Sequence, residues 1–370
     1  MMPPDYWDCF AGSYVGARAN FRNAARQAGV EWQSYAHPVE LAADGSALSI
    51  DVAHLGDVRG ARQLLVISGT HGLEGAAGSA LQVAWMRSLR EGAIAPIPPG
   101  VGVLLVHSFN PYGHEHGTRG TENNVDLNRN FVDHQAPYPD NPGYAALHAA
   151  LIPEQWTQAA FAAIEDATRE FEQSHGADAL YNALTSGQYD HPDGLVYGGR
   201  AREWSNRMLE RIVRDKLGSA EQVGFIDWHT GIGAYGEPFF LCFHPSGSAP
   251  ERLAADWWGR ERVLGQRPNG LARPDYQGLV FHGLQALLEP RPMVGAVVEF
   301  GTRGLGTRYA LRLDQWLRHR ARQQPNLERD AQLRADLADA FVPLSSVWRN
   351  SVLRHGMQIT QQAVLGLSAW

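Results

Sequence analysis

Gln63-Leu-Leu-Val-Ile-Ser68 runs directly into Gly69-Thr-His-Gly-Leu-Glu-Gly75, and the residues from Ala76 to Arg90 then read as a helix. An unbroken apolar run bounded by glycine is the pattern of a strand buried on both faces. Strand, glycine-rich loop and helix in that order form the unit of a parallel sheet covered by helices. The same kind of run recurs at 100–107, 223–228, 239–243 and 293–300, and two further strands fall near 31–36 and 47–54. Helices are expected at 13–28, ending at Gly29, and at 154–175, 201–217 and 249–264. Another helical region follows Gly306 and continues to about 355. Residues 114–145 are polar and rich in Asn, Pro, Gly and Tyr, the composition of a long ordered loop around a site. The expected fold class is α/β: one αβα domain over 1–370 with a mostly parallel sheet. It has an N-terminal helix and strands at 1–58 and a helical packing region at 307–370.

The composition narrows the classes of function. The chain has 370 residues, 44% of them apolar, and a net charge of −7. That is enough for a substantial core, and no basic tract marks a nucleic-acid surface. Cys9 and Cys242 are the only cysteines, which excludes a disulfide scaffold and a thiolate metal cluster. No run approaches the roughly 18 apolar residues of a membrane span. The opening Met1-Met-Pro-Pro-Asp-Tyr-Trp-Asp8 lacks a basic-then-apolar export signal. A cytoplasmic enzyme is the resulting expectation.

Three separated pieces could build one metal site. His71 and Glu74 stand three residues apart at the mouth of a strand, between Gly69, Gly72 and Gly75. A turn there can bring both side chains onto one zinc ion. Alone, the pair is weak evidence and reads first as a polar loop His and a helix-start Glu favoured by the helix dipole. His229 follows the apolar run 223–228, at the strand end where open α/β sheets gather their sites. Asp227 is two residues away and so points to the same side. Glu299 lies inside Val294-Gly-Ala-Val-Val-Glu-Phe-Gly-Thr302. A carboxylate in such a run is costly unless paired or functional; a salt bridge and a catalytic base beside zinc both account for it. His114 and His116 alternate in a polar stretch and are assigned to loop polarity.

The segment Asn123-Asn-Val-Asp-Leu-Asn-Arg-Asn-Phe131 is dense in groups that bind anions or fix backbone. Arg129 can hold a carboxylate with two prongs, Asn128 can donate beside it, and Arg119 is within reach of a developing oxyanion. A hydrogen-bonded loop without a ligand is the competing reading.

In order, His71-x-x-Glu74, Asp126-Leu-Asn-Arg-Asn130, His229 and Glu299 resemble the signature of zinc carboxypeptidases of the M14 clan. The sequence is more closely similar to a bacterial branch of M14-like proteins, the DUF2817 family. The blocks that carry this are Gly69-Thr-His-Gly-Leu-Glu-Gly-Ala-Ala-Gly-Ser79, Asn110-Pro-Tyr-Gly113, Glu122-Asn-Asn-Val-Asp-Leu-Asn-Arg-Asn-Phe131, Tyr197-Gly-Gly199, Trp204-Ser-Asn206, His229-Thr-Gly231 and Glu299-Phe-Gly-Thr302. The resemblance implies a single α/β domain with a mixed, mostly parallel central sheet of about eight strands. It implies His71, Glu74 and His229 as ligands of one zinc, Glu299 as base and acid, and Arg119 as the group polarising the scissile carbonyl. It makes Asn128 and Arg129 the holders of a substrate carboxylate. Tyr276 is the nearest counterpart of the tyrosine that closes over substrate in that clan, and Tyr197 is expected to shape the cleft. The implied activity is cleavage of a peptide or amide bond, most simply as a carboxypeptidase acting on a peptide. The alternatives are a zinc amidase or deacylase acting on N-acyl amino acids or cell-wall peptides, and a non-catalytic ligand-binding protein.

Overall fold

Strand β3 (Arg62–Ser68) occupies the middle of a seven-stranded sheet in a computed structural model that describes residues 6–304 and 306–370. The first five residues of the segment expected to lack an export signal lie outside the described residues. The other strands are β1 (Trp32–Leu41), β2 (Ala47–Gly56), β4 (Val101–His107), β5 (Gln222–Tyr235), β6 (Pro238–Leu241) and β7 (Met293–Gly301). Their order across the sheet is β1-β2-β4-β3-β5-β7-β6. The central neighbours β4, β3, β5 and β7 pair parallel. The flanking pairs β1/β2, β2/β4 and β6/β7 are antiparallel. The sheet is therefore mixed, with its parallel part at the centre. Its seven strands are those legible in the sequence, one fewer than the resemblance implies.

The apolar run of β3 is explained by cover on both sides. Successive strand residues face opposite ways. Leu64 and Val66 join a core with Ala80 and Ala84 of the helix Gly75–Arg90 and with Val352 and Ile359 of the helix Ser346–Ala369. Leu65 and Ile67 join a second core with Leu209 and Ile212 of the helix Trp204–Lys216 and with Phe281 and Leu284 of the helix Val280–Leu288. With no solvated face, β3, β4 and β7 have no need for polar alternation. Among the described residues, no helix is long and apolar enough to cross a membrane.

Several expected boundaries shift. Strand β5 does not stop before His229 but continues to Tyr235, with an irregularity in its pairing to β7 after Thr230. The polar stretch 114–145 is framed by helices Pro111–His116 and Pro142–Leu151. The helix expected at 249–264 is broken at Gly259, whose φ of +101 lies outside the helical region. The short helix Ala177–Thr185 was not anticipated. The final helix reaches Ala369, past the expected end near 355.

This topology brings the three separated pieces together. Parallel pairing aligns Ser68 with Trp228 and His229 with Glu299, so the ends of β3, β5 and β7 open on one crevice. Gly72 is essential to that convergence. A Cβ placed there would stand 1.9 Å from the backbone carbon of Gly113, an atom with no rotamer to give. The His71-to-Glu74 turn thus rests directly on the helix Pro111–His116. Gly72→Ala is expected to destabilise the fold by about 1–3 kcal/mol through overpacking and to weaken metal binding. Gly12→Ala, where nothing lies within 4 Å, should stay within about 0.5 kcal/mol of wild type. Urea unfolding of both variants checks this.

Candidate metal centre and active site

His71 caps and Glu74 ends a single turn of 3-10 helix, Gly72–Glu74, and both side chains are buried. His71 Nδ1 lies 3.0 Å from Glu74 Oε1, and His229 Nδ1 lies 3.1 Å from His71 Nδ1. His229 Nδ1 is also 3.4 Å from Glu74 Oε2. Tetrahedral zinc with bonds of about 2.0–2.2 Å holds its ligand atoms about 3.3–3.6 Å apart. The observed separations are at that scale, and the three residues form a group able to hold a metal ion.

The far side of each ring explains which nitrogen faces inward. His71 Nε2 lies 3.0 Å from Asp126 Oδ1, and His229 Nε2 lies 2.9 Å from Asp227 Oδ2. A carboxylate at Nε2 favours the proton there and leaves Nδ1 as the lone-pair atom. Two such lone pairs facing one another beside a carboxylate repel unless a cation lies between them. The donor set therefore fits a divalent metal with two imidazoles, one carboxylate and an open position, the pattern of catalytic zinc sites. Asp227 is fixed in turn by the Thr70 hydroxyl at 2.8 Å, and Glu74 Oε2 accepts the Thr230 N–H at 2.7 Å.

Electrostatics agree with this arrangement. Burial works against the charged form of Glu74, but His71 and His229 hold its carboxyl well below the usual range. Burial also works against a charged His229, yet Asp227 and Glu74 raise its proton affinity well above that of ordinary imidazole. Where a metal is absent, a proton can thus take its place, and metal binding competes with it. Glu299 is pushed up to about 7, first by burial and then by the charge of Glu74. A bound cation acts on it in the opposite sense. Glu299 Oε2 accepts a long 3.4 Å bond from the Ile232 N–H, beyond the irregularity in β5.

Two arginines and an asparagine complete the charged part. Arg119 donates from Nε to Asp126 Oδ2 at 2.9 Å, and its Nη1 lies 3.6 Å from Glu74 Oε1. Burial disfavours its charge, but Asp126 and Glu74 outweigh that and raise its pKa. Asn128 Oδ1 accepts from the Val280 N–H at 2.9 Å, which fixes the orientation of its amide. Arg129 is held by backbone carbonyls: Nε and Nη2 donate to Thr185 O, and Nη1 donates to Asn128 O. A guanidinium has five N–H donors, so three are engaged and one remains on each terminal nitrogen. Burial is the main cause of its lowered pKa, so an arriving anion would stabilise its charge. Tyr276 stacks over Arg129 with the guanidinium carbon 4.9 Å from the ring centre.

His71, Glu74, Arg119, Asn128, Arg129, His229, Tyr276 and Glu299 all line one cleft of about 1050 Å³, its open mouth included. Tyr197 does not line it, contrary to expectation. Its contribution is a backbone carbonyl that accepts the Asp126 N–H at 2.7 Å. The neighbouring glycine is required by packing, since a Cβ on Gly198 would meet the Tyr189 ring at 2.2 Å. His114 is likewise structural: it is buried, and its Nδ1 bonds to the Ser108 hydroxyl at 2.8 Å. Sequence reasoning missed Tyr181 and Thr185 on the unanticipated helix, and Leu311, Arg312 and Phe341 from the C-terminal helices, all of which line the cleft. The apolar pair Leu180 and Leu184, four apart, was the available signal for that helix.

The fold is of the α/β type seen in carboxypeptidase-like proteins. A provisionally assigned carboxypeptidase A from Shewanella denitrificans superposes with a TM-score of 0.50 at 12% identity, covering 95% of this chain and 69% of its own. A provisionally assigned carboxypeptidase from Burkholderia mallei gives 0.50 at 11% identity, with 96% and 68% covered. No curated protein matches the sequence. The profile of the DUF2817 family, described as a protein of unknown function, matches residues 10–355, and the chain belongs to that family.

Asp227→Asn should lower divalent-metal affinity by about 10–100-fold by removing the group that orients a ligand. The rise of affinity with pH should also become shallower, because His229 loses the charge that holds its competing proton. Competitive chelator titration across pH measures both effects.

Proposed function

We propose that this protein is a zinc-dependent hydrolase of a peptide or amide bond whose substrate carries a free carboxylate beside an apolar side chain. The observation that carries the reading is the common cleft: the three candidate ligand residues, the buried Glu299 and Arg129 line the same space. Zinc bound there would supply Lewis acidity and a more acidic water. Glu299 takes a proton from the attacking water, Arg119 donates to the oxyanion that forms on the substrate carbonyl, and Glu299 returns the proton to the leaving amine. Arg129 and the Asn128 amide hold the carboxylate so that the scissile bond lies beside Glu299.

The remaining cleft wall supports the apolar part of the assignment. Val297 lies two residues before Glu299 on β7 and so faces the same side. It pairs with Leu241 of β6, and Phe243, Leu279 and Tyr276 line the cleft with them. A C-terminal peptide residue and an N-acyl amino acid present the same two features, so both substrate types fit. The buried Glu299, with its raised proton affinity beside the ligand set, favours chemistry over passive binding.

Glu299→Gln is expected to retain zinc and to lose about 10²–10⁴-fold in turnover; elemental analysis and rate measurement on the same preparation decide it, and full activity would remove Glu299 from the mechanism. With benzoyl-glycyl-X dipeptides and N-acetyl amino acids, X = Phe or Leu should be cleaved faster than X = Lys or Glu. Amidating the carboxylate should abolish turnover. In Val297→Asp the preference should move toward Lys by about ten-fold or more. Undiminished cleavage of the amidated substrates would contradict the carboxylate assignment.

A further inference from the structure

Arg119 sits in a stretch without regular secondary structure, between the helix Pro111–His116 and the turn Leu127–Arg129. No strand ladder or helix fixes its peptide, so other groups must. Its carbonyl accepts from Asn110 Nδ2 at 3.1 Å and from the Gly72 N–H at 3.3 Å. Its N–H donates to Asp314 Oδ2 at 2.9 Å. Asp314 belongs to the C-terminal helix Gly306–His319, far away in sequence.

We propose that Asp314 is a positioning residue for Arg119: by holding the Arg119 peptide N–H it sets where the guanidinium meets the oxyanion. This rests on the hydrolase reading above for its catalytic meaning, though not for its geometry.

Asp314 is placed at a cost. It is only 2% exposed, and burial raises its carboxyl pKa. Around it on the same helix, Ala310, Leu313, Trp316 and Leu317 form an apolar cluster with Leu73, the residue between Gly72 and Glu74. A carboxylate beside such a cluster needs a strong partner, and a charged acceptor makes a stronger bond to a peptide N–H than a neutral one. Its neighbours on the helix act on the same loop. Gln315 Oε1 accepts from Asn124 Nδ2 at 2.9 Å. Arg318 donates to Thr121 O at 2.6 Å and to Glu122 O at 2.7 Å. One helix end therefore grips the segment 119–124 at several points, and through Leu73 it also packs against the metal-binding turn. The Arg119 side chain is separately tied to Asp126, which also orients His71. Peptide and guanidinium are thus referenced to the same metal centre by independent contacts.

The test uses the zinc-loaded full chain and inorganic phosphate as an oxyanion probe, with affinities from calorimetry. Arg119→Ala should weaken phosphate binding by about ten-fold or more. Asp314→Leu, which offers no acceptor, should weaken it comparably, and the double variant should lose no more than either alone. Asp314→Asn keeps an acceptor oxygen and should bind close to wild type. Zinc content and thermal unfolding are measured on every variant. Wild-type phosphate affinity in Asp314→Leu, or losses that add in the double variant, would overturn the proposal. So would failure of both Asp314→Leu and Asp314→Ala to fold with zinc, since Asp314 would then be a folding residue. With an active wild type, Asp314→Leu should lower kcat more than it raises KM. If the phosphate pattern holds while no amide substrate is ever turned over, the hydrolase reading fails and the positioning contact stands.

Discussion

Two imidazole nitrogens 3.1 Å apart, with a carboxylate oxygen 3.0 Å from one of them, are an arrangement that calls for a metal ion or a shared proton between them. Much of the surrounding structure maintains it. Asp126 bonds to the His71 ring from behind, the Asp227 carboxylate lies 2.9 Å behind the His229 ring, and Thr70 holds Asp227. The Thr230 N–H keeps Glu74 from turning away. Each of these partners sits at or beside the end of a central parallel strand or on the loop that crosses it. The order of β3, β5 and β7 is therefore a condition of the site as well as of the core.

The same charges account for the different behaviour of two buried glutamates. Glu74 faces both imidazoles and is held ionised. Glu299, one strand away, faces Glu74 and an apolar wall, and its pKa rises to about 7. Environments that push the pKa values of two carboxyls apart are how one cleft can contain both a ligand and a proton carrier. Arg119 stands between these roles, paired to Asp126 and near Glu74. Arg129, by contrast, donates to the backbone carbonyls of Thr185 and Asn128 and lies against the Tyr276 ring, with no carboxylate ion-paired to it among the described residues, which leaves it receptive to an anion.

How much of this was legible in the sequence followed the range of each interaction. His71 and Glu74 share one turn, so their meeting depended only on local spacing and glycine. Glu299 and His229 stood out because polar residues interrupt, or end, apolar strands. Their adjacency depended on the register of β5 against β7, which local pattern does not encode. The contacts of Asp126 and Asp227 with the imidazoles were likewise invisible before the strands were paired. Tyr181, Thr185 and Phe341 come from helices whose pattern is that of any amphipathic helix. Tyr197 misled for a physical reason: Tyr197-Gly-Gly199 is unusual because Tyr189 crowds Gly198 and the φ of Gly199 is +78, demands of packing rather than of a ligand.

The central claim is that His71, Glu74 and His229 hold one zinc ion. Crystals of zinc-loaded protein, with anomalous diffraction recorded on both sides of the zinc absorption edge, test it directly. The account predicts one strong zinc peak, about 2.0–2.2 Å from both Nδ1 atoms and from a Glu74 oxygen. A zinc peak elsewhere in the molecule, or none at this cluster in fully loaded protein, would contradict it.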